Sequence, residues 1–167
     1  AHLPVADRIR AMRDPATRAR ILAEQPDESD STRLLSRQGI VMALERCYVL
    51  RSDVEPDYEP DPSTSLGAIS RSTGVSTVEL AYDALVSSDD PTMLLLPLFN
   101  YADGNHDALL EQMKDDAAVV GLADGGAHCG AICDASIPTY MLSHWVKGRS
   151  RGERLGLEDA VRRLTSQ

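Results

Sequence analysis

The chain has 167 residues, 43% of them hydrophobic and 26% charged, a balance that fits one globular domain or part of one and excludes long-range disorder. Twenty-six Asp and Glu outweigh seventeen Lys and Arg, and the formal charge of −9 excludes a general affinity for nucleic acid or for an anionic membrane surface. No apolar stretch approaches the roughly 20 residues of a membrane span, and Cys47, Cys129 and Cys133 are too few for a secreted disulfide framework, so a cytoplasmic setting is expected.

The first 25 residues read as two helices, because Val5, Ile9 and Met12 share a face and Asp14-Pro15 is a cap followed by a first-turn proline. A polar, acidic surface turn follows from Gln25 to Arg33. Gly39 to Leu50 is strongly apolar and reads either as a strand pair or as a short helix with a strand. The run Glu55-Pro56-Asp57-Tyr58-Glu59-Pro60-Asp61-Pro62 is an extended loop, since each proline removes an amide donor. Ser63 is expected to cap a helix that reaches Thr73 and stops at Gly74, and Ser76-Thr77-Val78-Glu79 is a capping box for a helix through Ser87.

After a turn at Asp89-Asp90-Pro91, Met93 to Phe99 reads as a buried strand that leads into the turn-rich loop Asn100-Tyr101-Ala102-Asp103-Gly104-Asn105. A helix over Asp107 to Lys114 and a second buried strand over Ala118 to Ala123 complete a βαβ order, which predicts parallel pairing. Helices are expected over Ala135 to Lys147, ending at Gly148, and over Leu157 to Leu164.

The chemistry concentrates at Asp124-Gly125-Gly126-Ala127-His128-Cys129. A carboxylate that directly follows a buried strand, backed by two glycines that let a substrate approach the backbone, can take a proton from metal-activated water or help to hold the metal. The plainer reading of Asp124 is an Asp-Gly turn. His128 fits a ligand, a substrate hydrogen bond or a cap. Cys129 and Cys133, with His128 and Asp134, have metal-binding residue types at close spacing, or are small buried thiols. Arg149, Arg151 and Arg154 offer either a fork for a substrate carboxylate or a solvated face. No Gly-rich phosphate loop and no Gly-x-Ser-x-Gly elbow is present, which excludes nucleotide and serine-hydrolase chemistry of those kinds.

Three ordered blocks, Pro56-Asp57-Tyr58-Glu59-Pro60, Leu96 to Asn105 and Gly125 to Cys129, together with Ile132 to Tyr140 and Ser143-His144-Trp145, resemble the N-acyl-D-amino-acid deacylases (amidohydrolase family 3) of the metal-dependent amidohydrolase superfamily. The resemblance implies an α/β fold, the carboxyl-terminal portion of a (β/α)8 TIM-type barrel with few parallel strands and several helices. On this reading residues 1–167 are one segment, with helices and a Pro-rich loop over 1–62, βα units over 63–167 and the last barrel strand at 118–123.

The implied activity is zinc-dependent hydrolysis of a linear amide, the deacylation of an N-acyl amino acid, with Asp124 as general acid/base and metal ligand. His128, Gly125, Gly126 and Asn100 would bind the small-molecule substrate. The His-x-His pair of the superfamily cannot be placed here, and a barrel needs about 250 residues. The chain is therefore expected to be incomplete and inactive alone, supported by a missing amino-terminal part of the barrel or by self-association. A cyclic amidohydrolase is the alternative within enzymes, and a non-catalytic half-barrel interaction module the alternative outside them.

Overall fold

Local side-chain signals set the starts of three helices. In the structure, a computed structural model that describes residues 4–24, 37–87, 92–121 and 134–166, α1 spans Val5–Met12 and α2 spans Pro15–Ala23. The Asp14 carboxylate accepts from the Thr17 amide at 2.8 Å and Pro15 takes the first turn, the arrangement that the Asp-Pro pair predicts. The apolar stretch after them resolves into a helix and a strand, α3 (Arg37–Glu45) and β1 (Tyr48–Arg51).

The cap of α4 (Leu66–Thr73) is Ser65, whose hydroxyl accepts from the Ala68 amide at 3.1 Å. Ser63 instead sits in a short 3-10 turn held by Asp61. Gly74 ends α4 at φ +76°, and Ser76 opens α5 (Thr77–Val86), accepting from the Glu79 amide at 3.2 Å while its hydroxyl donates to the Glu79 carboxylate.

Two compact units divide the chain, residues 1–98 and 99–167. In the first, Cys47, Leu66 and Ala81 form the buried centre, flanked by Leu44, Val49, Leu80, Leu94 and Leu96. Gly67 lets α4 lie against α3, since a Cβ there would stand 2.6 Å from the Glu45 carbonyl oxygen. Neither α1 nor α2 buries a residue completely. Both are tied to α5 by polar contacts: Tyr82 donates to the Met12 carbonyl at 2.7 Å, Arg13 to the Val86 carbonyl at 2.6 Å, and Arg18 grips Asp83 with two bonds of 2.7 Å.

The barrel expectation is overturned here. Helix accounts for 58% of the described residues, and the strands among them are β1 and β2 (Thr92–Leu95), paired antiparallel with Tyr48 opposite Leu95 and Arg51 opposite Thr92. There is no parallel pair, so the described chain is not a portion of a TIM-type barrel. Three physical reasons stand out. Pro97 removes a ladder donor and β2 stops at Leu95, leaving Leu98 and Phe99 exposed at 62% and 82%. Residues 118–121 of the expected second strand form none, and Val119 is 71% exposed where a buried strand needs it covered. Helix α3 consumes the residues that a strand pair would use, which frees β1 to take β2 as its partner.

The second unit is helical: α6 (Asp107–Lys114), α7 (Ile137–Tyr140) running straight into a π-helical segment (Met141–Gly148), and α8 (Leu157–Thr165). Its core joins Leu110, Met141, Trp145, Leu155 and Ala160. Arg163 ties α8 to α6, donating to the Lys114 carbonyl at 3.1 Å.

Candidate functional site

Within residues 99–167 the structure gathers a cluster of aromatic rings and imidazoles. His106 immediately precedes α6, at the end of the turn-rich loop, and its ring meets the edge of Tyr101 at 4.8 Å between centroids. His144 lies on the π-helical segment. An i→i+5 ladder fits more than four residues into each turn, so residues four apart stand almost above one another. The amide of Arg149 accordingly donates to the His144 carbonyl at 2.8 Å, and the rings of Tyr140 and His144 stack at 4.8 Å with only 4° between their planes.

The two imidazoles face each other edge to face at 6.4 Å, with ligating nitrogens within 4.8 Å of one another. Trp145 sits beside both, at 6.0 Å from His106 and 5.2 Å from His144. Nδ1 of His106 and Nε2 of His144 are closed to solvent.

One wall of the cluster is ionic. The Arg149 guanidinium, fully buried, lies 5.1 Å over the Trp145 ring, meets Asp107 at 2.5 Å and donates to the Glu153 carbonyl at 2.6 Å. Arg151 donates to the Tyr101 hydroxyl at 3.2 Å and to the Gly104 carbonyl at 2.9 Å, and Arg154 donates to the Arg149 carbonyl at 2.7 Å. Arg149 and Arg151 are engaged with this unit's own groups, a use that differs from both the substrate fork and the solvated face, while Arg154 stays exposed.

Of the residues expected to form the site, Asp124, Gly125, Gly126 and His128 lie outside the described residues, as do Cys129 and Cys133. Asn100 is described: it is exposed and holds φ +58°, a left-handed conformation that asparagine tolerates better than most side chains. Cys47 belongs to the first unit's core, where burial pushes its thiol up and away from reactivity. The Pro56–Pro60 block lines a groove of about 430 Å³ in the first unit, with Val49, Arg51 and Ile69 among its walls.

Sequence reasoning missed His106 and His144 as a pair, because they are far apart in the chain and neither carries a ligand motif. The one legible signal was position, since both adjoin blocks that carry the resemblance. Zinc takes imidazole nitrogens readily, so the pair fits that metal in donor type and supplies two of its usual four ligands.

No protein-family model, no curated protein and no solved structure matches this chain.

Proposed function

We propose that this chain serves a metal-dependent hydrolase of linear carbon–nitrogen amide bonds, acting on N-acyl amino acids. One observation carries the reading. Two separated blocks of the deacylase resemblance, the loop Leu96 to Asn105 and the helix bearing Tyr140 to Trp145, send Tyr101, Tyr140 and Trp145 to the same pair of histidines. The stretch with Asp124 joins them in sequence.

Zinc, when bound, would supply a Lewis acid that polarises the amide carbonyl and lowers the pKa of water. The remaining steps fall to the chain. Asp124 accepts a proton as water oxygen attacks the acyl carbon, then delivers it to the amine nitrogen as the carbon–nitrogen bond breaks, leaving a carboxylic acid that passes its remaining proton to the released amine. Gly125 and Gly126 let the substrate backbone approach, while His128 and Asn100 offer it hydrogen bonds.

The test is Asp124→Asn in the protein with all the sequence its gene encodes, assayed on N-acyl-D- and N-acyl-L-amino acids. Turnover is expected to fall roughly 10²–10⁴-fold with folding and metal content retained. Undiminished turnover removes Asp124 from the mechanism, and hydrolysis of cyclic amides in place of linear ones moves the substrate class.

A further inference from the structure

We infer that His106 and His144 form a two-imidazole chelate for a zinc-class divalent ion. The inference stands on residues 99–121 and 134–166 and does not require the hydrolytic reading above.

Three observations point the same way. The nitrogens lie within 4.8 Å, and zinc bonds of roughly 2.0–2.1 Å in a tetrahedral set bring two ligating nitrogens to about 3.4 Å. Binding an ion therefore asks the two nitrogens to close by at most about 1.4 Å. Both rings are already oriented: His144 by its coplanar stack on Tyr140, His106 by the Tyr101 edge, and each by Trp145. Little rotamer freedom remains to be lost on binding. Finally, the buried cation beside Trp145 is already matched, because Arg149 is paired with Asp107. An arriving dication therefore meets no uncompensated positive charge from that guanidinium.

Chelation distinguishes this pair from two histidines that merely pack, since either imidazole alone would bind zinc weakly.

The chelator-treated chain is titrated with Zn²⁺ and followed by calorimetry and by the imidazole nitrogen resonances of its four histidines. One ion per chain is expected, moving the His106 and His144 resonances together. His106→Gln and His144→Gln should each weaken binding on the order of tenfold or more, and the double variant should show no ion bound at this pair. No binding, or saturation without movement of those two resonances, overturns the assignment. So does binding that survives both single variants and disappears in Cys129→Ser with Cys133→Ser. If a variant fails to fold, the wild-type spectra still decide. None of these readouts depends on hydrolysis, so failure here and failure of Asp124→Asn are separate results.

Discussion

Gly152 is the residue on which the ionic wall of the second unit turns. It holds φ +122°, and a Cβ there would stand 2.7 Å from both the Arg149 guanidinium and the Asp107 carboxylate. Gly152→Ala should therefore destabilise the protein by roughly 2–3 kcal/mol, from backbone strain and from the displaced ion pair, read as a lower denaturation midpoint. Arg149→Ala is expected to cost about 1–3 kcal/mol, chiefly because it strips Trp145 of its covering guanidinium, while the Asp107 left behind is 58% exposed and rehydrates. A change within half a kilocalorie would show that Arg149 is dispensable to the core. This role was not legible in the sequence: Arg149, Arg151 and Arg154 look like a charged run, and the partners that consume two of them, Asp107, Tyr101 and Gly104, lie more than forty positions away. Asp124 and its glycines, which an apolar run ending abruptly in a carboxylate singled out in the sequence, lie outside the described residues, and residues 118–121 of that run form no strand.

Elements whose ends rest on nearby side chains were read well, as at Asp14-Pro15, Gly74 and Ser76-Thr77-Val78-Glu79, because each signal and its target sit within four residues. Strand pairing is not local. The apolar run before Pro97 does contain a strand, but its partner is β1, more than forty residues earlier, and nothing in either run's alternation selects that partner over residues 118–123. The contact between α2 and α5 makes a further point about magnitude. The Arg18 guanidinium holds the Asp83 carboxyl below its ordinary range, so its contribution is complete above that range and is lost as the pH falls through the lowered pKa. Arg18 is one-third exposed and Asp83 about half exposed, so a double-mutant cycle on Arg18→Ala and Asp83→Ala should give only a small coupling near neutral pH, shrinking on acidification. Coupling that persists unchanged well below the carboxylate range would show that the helices are held together by something else.

At the scale of the whole chain, each compact unit has its own buried centre, and the division falls between Leu98 and Phe99. Phe99 is 82% exposed against 41% for Tyr58, the other markedly exposed aromatic residue. Brief chymotrypsin treatment should therefore cut first after Phe99, giving two fragments that mass spectrometry identifies, whereas earlier cleavage at Tyr58 would place the weakest point inside the first unit. The fold class itself was misread because short apolar runs between helices imitate a βαβ order, and only the pairing partner separates a parallel layer from a two-stranded antiparallel ribbon. The π-helical segment adds a constraint on how this chain can change in length. Removing one residue between Met141 and Gly148 would offer the segment an ordinary α-helix, and would re-aim the side chains of that segment against its neighbours. Among descendants of this sequence, single-residue insertions and deletions should thus be purged from that stretch, while the exposed residues 52–57 can gain or lose length freely.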